Sequence, residues 1–111
     1  MTRILLDECL PVKLRYRFQE LDESYLVSTV TNQNWNGIKN GKLLELAQLS
    51  FDILITIDQN IPYQQSLSSF SIALIALQAS SNRYKDLLPF VDPTEKLIKN
   101  YKPGRFYTVS I

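Results

Sequence analysis

Two acidic positions carry the chemistry that this sequence offers. Asp7, with Glu8 beside it, follows the apolar run Ile4 to Leu6, and Asp58 follows the run Ile53 to Ile57. An acid directly after a buried strand is carried on a stiff support at that strand's carboxyl end. If the two strands are neighbours, about 4.8 Å apart, both carboxylates face one cation. Carboxylate and amide oxygens in an open site suit hard ions such as Mg²⁺ or Mn²⁺, which keep waters and bind substrate phosphates. Such an ion polarises a phosphodiester and activates water with no help from histidine. Either acid taken alone is equally the cap of the next helix or turn. The weight lies in having the pair on two separate strands.

Composition narrows the alternatives. The chain has 111 residues, no His and one Cys, so Ser–His and Cys–His nucleophile pairs, a Cys/His zinc site and an intrachain disulfide are all excluded. Acid–base or metal chemistry must come from carboxylates, amides, hydroxyls and lysines. With 12 Lys+Arg against 11 Asp+Glu, the net charge of +1 gives no global field for a polyanion, and nucleic-acid binding would need a local patch or a dimer groove. Only three apolar residues, Ile4 to Leu6, follow the first Arg, which is no signal peptide. The run Ile72 to Leu77 falls far short of the roughly 20 residues of a membrane span. The expectation is a soluble cytoplasmic protein of one domain over residues 1–111.

The elements that must position these acids follow from patterning. Residues 3–6 read as a buried strand. Pro11 opens a helical pattern with Leu10, Leu14, Phe18 and Leu21 on one face. Residues 25–30 read as a strand, and the segment 31–41, with four Asn and two Gly, as a surface loop. Leu43, Leu46 and Ala47 mark a helix over 41–50, Ile53 to Ile57 a buried strand, and Pro62 a short turn or helix. A further strand is expected at 70–77, a helical region punctuated by Pro89 and Pro93 at about 82–101, and a last strand at 105–111 after Lys102-Pro103-Gly104. Alternating strands and helices imply a three-layer α/β/α fold with a mainly parallel five-stranded sheet and right-handed crossovers. Ligands of such sheets bind beyond the carboxyl ends of the strands, where Asp7 and Asp58 lie.

Four segments in this order resemble the PIN-like nuclease superfamily: ILLDECLP (4–11), GIKNGKLLELA (37–47), ILITIDQNIPYQQ (53–65) and SNRYKDLLP (81–89). The opening is most similar to a bacterial branch whose members begin LLDExLP. The resemblance implies a small α/β/α nuclease whose acids hold Mg²⁺ or Mn²⁺ while it cuts RNA. It also implies the toxin half of a toxin–antitoxin pair, restrained by a small antitoxin-like protein, in a family where many members form homodimers. By this resemblance Asp7 and Asp58 are catalytic metal ligands, and Glu8 is the adjoining acid, a ligand or general base. Where relatives carry a middle acid, this chain has Asn40, Gly41 and Lys42, with Glu45 one turn on. Asn40 offers a neutral oxygen to a metal, and Lys42 repels a cation or contacts a phosphate, both at the cleft edge.

Other residues are weighed by type. Asn60, Tyr63, Gln64 and Gln65 follow Asp58 and line a cleft or simply a loop. Arg83 starts a helix and grips a phosphate or forms a surface salt bridge. Lys13, Arg15 and Arg17 read as a solvated face, Cys9 as a small buried hydrophobe, and Trp35 and Tyr25 as core packing or base-stacking rings. Two other functions remain open. One is a PIN-like binding module without catalysis. The other is a phosphoryl-accepting receiver domain, which shares the acid layout and the hydroxyls of Ser80 or Ser81. A receiver needs a Lys after the fifth strand, whereas Lys102 precedes it here.

Overall fold

The computed structural model describes residues 1–60 and 66–111. Five strands form one sheet: β1 (Thr2–Leu6), β2 (Tyr25–Thr29), β3 (Ile53–Thr56), β4 (Ala73–Leu77) and β5 (Phe106–Val109). Their order is β2-β1-β3-β4-β5 and every pairing is parallel. The α-helices are α1 (Leu14–Gln19), α2 (Asn40–Ala47), α3 (Tyr84–Leu87) and α4 (Val91–Ile98), with 3-10 turns at Leu67–Ser69 and Leu88–Phe90. Among the described residues no helix is long and apolar enough to cross a membrane.

Side-chain alternation along the strands divides the core into two layers. Ile4, Leu6, Ile53, Ile55 and Ile75 pack with Leu14 and Phe18 of α1 and with Val91 and Ile98 of α4. Leu5, Leu54 and Leu74 face the other way, against Leu43, Leu44 and Ala47 of α2. The fold is therefore the three-layer α/β/α arrangement expected, with an all-parallel sheet. The unalternated apolar strands are explained by this burial on both faces.

One connection departs from the expected handedness. The β1–β2 connection steps towards one edge of the sheet over the α1 face. The β2–β3 connection steps the opposite way over the α2 face, which gives the same hand. From β4 to β5 the chain keeps that second direction but returns over the α1 face, where α4 packs beside α1. This crossover thus has the opposite hand to the first two, which is rare in parallel sheets. The physical gain is coverage, because α4 closes the layer over Ile53, Ile55 and Ile75 that the six-residue α1 leaves incomplete.

Element boundaries shift for local reasons. Pro11 does not open the helix; Leu14 N–H bonds the Pro11 carbonyl in a turn at 3.0 Å, and α1 starts at Leu14. Residues 70–72, with apolar Phe70 and Ile72, are not strand. Phe70 closes the 3-10 turn on the Leu67 carbonyl at 2.9 Å, and the Ser71 N–H is held by Gln48 Oε1 at 3.0 Å. Pro93 is tolerated inside α4 because it occupies the first turn, where no intrahelical donor is lost. The turn expected after Pro62 lies outside the described residues. Gly104 is obligatory for backbone reasons: its φ is +73°, and a Cβ there would lie 3.0 Å from the Phe70 carbonyl oxygen.

Candidate functional site

The chain leaves β1 in one direction to make β2 and later returns to the other side of β1 to make β3. That reversal opens a crevice between the carboxyl ends of β1 and β3. Leu6 pairs with Ile55 in register, so the residues after these strand ends are neighbours, as the two-acid reading requires. Asp7 N–H continues the ladder to the Ile55 carbonyl at 2.9 Å, which fixes the Asp7 backbone against β3.

Asp7 is only 8% exposed, yet both carboxylate oxygens are satisfied. Oδ1 accepts the Glu8 N–H at 2.8 Å, and Oδ2 accepts the Thr56 hydroxyl at 2.7 Å. Burial pushes the Asp7 carboxyl pKa up, and the Glu8 charge adds to that push. The bonds from Thr56 and the Glu8 N–H pull the other way without cancelling it. The Thr56 oxygen in turn accepts the Asp58 N–H at 3.0 Å. One buried hydroxyl therefore ties the two acidic segments together. Asp58 Oδ1 accepts the Asn60 N–H at 2.8 Å, an Asx turn that sets the start of the next loop.

Asp7, Glu8 and Asp58 line one cleft of about 190 Å³, with Cys9, Lys39, Asn40 and the apolar Ile38 and Leu43. Glu8 is exposed, but its carboxylate reaches the 31–39 loop, where the Gly37 N–H donates to both oxygens at 3.2 Å. Gly37 holds φ +84°, a conformation that glycine adopts without strain. Asn40 is the first residue of α2 and lines the same cleft. A larger groove of about 430 Å³ lies beyond β4 and includes Gln78, Lys85 and Phe90, but none of the strand-end acids. The larger groove also carries Ser80 and Asp86, but the smaller cleft is the one that gathers the strand-end acids.

The remaining expected residues are distributed around this cleft. Lys42 points away to Glu45, with 3.8 Å between Nζ and Oε2, and Lys39 is the lysine on the cleft wall. Arg83 precedes α3, is exposed and does not line the cleft, although Asn82 beside it donates to the Cys9 carbonyl at 3.2 Å. Gln64, with Tyr63 and Gln65, lies outside the described residues. Tyr25 is buried with its hydroxyl 3.4 Å from Glu95, and Trp35 packs edge-on to Phe51 at 6.2 Å, so both rings serve the interior. Cys9 is half-buried; burial pushes its thiol pKa up, away from thiolate reactivity. Lys102 precedes β5, at the opposite end of the sheet from the acids, which removes the amine a receiver domain needs.

Sequence reasoning did not single out Thr56, Gly37 or Lys39. Thr56 carried a signal, being the one polar residue inside the run Ile53 to Ile57. Among the described residues, no three His, Cys, Asp or Glu side chains converge closely enough to hold a metal ion. The carboxylates of Asp7, Glu8 and Asp58 and the amide of Asn40 are oxygen donors, the ligand type a hard divalent ion takes, although Cys9 and Lys39 share the cleft. No family model, curated protein or solved structure matches this chain.

Proposed function

We propose that this protein is a metal-dependent ribonuclease of the PIN-like type, acting in the cytoplasm as the toxin component of a toxin–antitoxin pair. The observation that carries the reading is the Asp7–Thr56–Asp58 linkage at the adjoining ends of β1 and β3, inside one cleft. The motif resemblance supplies the RNA substrate and the antitoxin-like partner.

Asp7 and Asp58 would hold Mg²⁺ or Mn²⁺, and Asn40, in the same cleft, would offer a neutral oxygen. A bound ion supplies positive charge against the phosphodiester and lowers the pKa of a water molecule. Thr56 orients the Asp7 carboxylate and fixes the Asp58 backbone. Glu8 takes the proton of the attacking water once its carboxylate leaves the Gly37 N–H.

The test is cleavage of a mixed-sequence single-stranded RNA with Mn²⁺ or Mg²⁺, run beside Mn²⁺ calorimetry. Wild-type cleavage and binding that Asp7→Asn and Asp58→Asn both abolish are expected. Cleavage by Asp58→Asn at the wild-type rate would remove the site assignment. A second reading, a PIN-like module that binds a partner without catalysis, is favoured by the missing acid at residues 40–42 and by the engagement of Glu8 with Gly37. Absence of both metal binding and cleavage would select it.

A further inference from the structure

Beside the acid cleft runs a surface that composition alone gave no reason to expect. Lys13, just before α1, sets its Nζ 4.4 Å from the centre of the Tyr84 ring. Tyr16 lies one turn further along α1 and is 54% exposed, with the Arg15 guanidinium 4.9 Å from its ring centre. Arg83 is exposed and adjoins Tyr84 in sequence. The strip reaches the cleft through the Asn82 amide, which donates to the carbonyl of Cys9, a lining residue.

Its charges are unspent. Among the described residues Lys13, Arg15 and Arg83 make no ion pair, in common with Lys39, Lys85, Lys96, Lys102 and Arg105; what sets Lys13 and Arg15 apart is that each lies against a tyrosine ring. Asp86, the nearest acid along α3, pairs with none of them. Three cations and two tyrosines, one exposed (Tyr16) and one half-buried against the core (Tyr84), are thus gathered near the Asn82–Cys9 link to the cleft. Cations spaced along a path fit a phosphate backbone, and an exposed tyrosine between them fits a base face. A purely acidic protein partner would use the cations and leave the exposed Tyr16 ring without a role.

We propose that the strip Arg15–Tyr16–Lys13–Tyr84–Arg83 binds single-stranded RNA and leads it into the acid cleft. The inference takes its ligand from the nuclease reading above and adds the track along which that ligand lies.

The test separates the two. Binding of a fluorescein-labelled, mixed-sequence 20-nucleotide RNA is followed by anisotropy at several KCl concentrations in EDTA, where no cleavage is needed. Each of Lys13→Ala, Arg15→Ala and Arg83→Ala should weaken binding and lower the slope of log affinity against log salt by about 0.7. The triple variant should lose about three times that slope. Tyr16→Ala should weaken binding about tenfold with the slope unchanged. Lys102→Ala, at the other end of the sheet, and the charge-keeping Arg15→Lys and Arg83→Lys should retain the wild-type slope. A triple variant that binds like wild type, or a wild type that does not bind RNA even at low salt, would overturn the proposal. Equal affinity for polyglutamate of the same length would also overturn it, and would assign the strip to an acidic protein. RNA binding that follows the strip while Asp58→Asn cleaves like wild type would leave the strip standing and overturn only the cleft.

Discussion

The Thr56 hydroxyl donates to Asp7 Oδ2 at 2.7 Å while its oxygen accepts the Asp58 N–H at 3.0 Å. A neutral, fully buried side chain therefore sets the relation between two acids that sequence places 51 residues apart (58 − 7). Thr56→Val keeps the shape and the β-branch but removes both bonds and the 3.5 Å contact of the hydroxyl with Cys9 Sγ. It leaves the Asp58 N–H unpaired and takes one donor from a buried carboxylate. The expected loss is about 1–3 kcal/mol of stability, read as a lower denaturant midpoint at unchanged slope. Thr56→Ser should recover most of it. A Val variant as stable as wild type would show that the hydroxyl does not organise the site.

Asp7 itself should cost stability at neutral pH. Burial, its largest influence, raises its folded pKa above the unfolded value near 3.9. For a raised carboxyl the contribution is fully present below the unfolded pKa and is lost as pH rises through the folded value. Asp7→Asn does not ionise and escapes that loss. An Asn amide has one acceptor for the two donors that meet Asp7, a cost that does not vary with pH, so the variant's stability relative to wild type should rise as pH goes from 4 to 7. Thermal melts across that range measure it, and a constant difference at all pH values would reject the burial argument. The same titration governs metal affinity under the proposed function, since a ligand must be deprotonated. Mn²⁺ binding should weaken on acidification at a higher pH than for an ordinary aspartate.

How much of this was legible depends on which interaction decides each feature. The parallel sheet was, because strands buried on both faces lose the polar alternation that Ile53 to Ile55 visibly lack. The positions of Asp7 and Asp58 were, because both immediately follow such runs. Strand order and crossover hand were not: they depend on where α4 packs, and that is settled by tertiary contact with α1. The start of β4 was missed because Phe70 and Ile72 are apolar for the sake of the α2 layer, which a one-dimensional pattern cannot distinguish from strand. Lys39 and Lys42 are three residues apart on the same stretch, and only the direction in which α2 begins decides which one meets the cleft. The Lys13–Tyr84 contact joins residues from two separate elements and leaves no local trace.

The Glu8–Gly37 contact is a local tether with a measurable signature. The Gly37 N–H donates to both Glu8 oxygens at 3.2 Å, and this joins the loop after β2 to the turn after β1. Glu8 is exposed, so its removal should leave the global denaturant midpoint within about 0.5 kcal/mol of wild type. Hydrogen exchange at Gly37 should nevertheless accelerate in Glu8→Ala, because local opening no longer breaks a charge-assisted bond. Unchanged exchange at Gly37 would mean that the loop is held by its own turn bonds, such as Trp35 N–H to the Val30 carbonyl at 3.0 Å.

The middle of the β2 edge is covered by one side-chain amide. Alternate residues of β2 direct their backbone groups to β1, which leaves Tyr25 and Val27 facing outward. Gln19, the last residue of α1, accepts the Val27 N–H at 2.9 Å through Oε1 and donates through Nε2 to the Tyr25 carbonyl. The side chain thus stands where a neighbouring strand would. Further along, the Gln33 N–H takes the Thr29 carbonyl at 3.1 Å and closes that end. Open strand edges are templates for pairing with another chain. Gln19→Ala should therefore increase self-association over wild type with rising concentration, measured by sedimentation velocity, and lower stability by about 1–3 kcal/mol. Gln19→Glu keeps an acceptor for Val27 but loses the donor to Tyr25, and it puts a charge at the edge. It should lose stability while self-associating no more than wild type. Equal self-association of the Ala and Glu variants would show that edge exposure, and not its chemistry, controls pairing. No increase in either would show that the Gln33 turn is sufficient to block the edge.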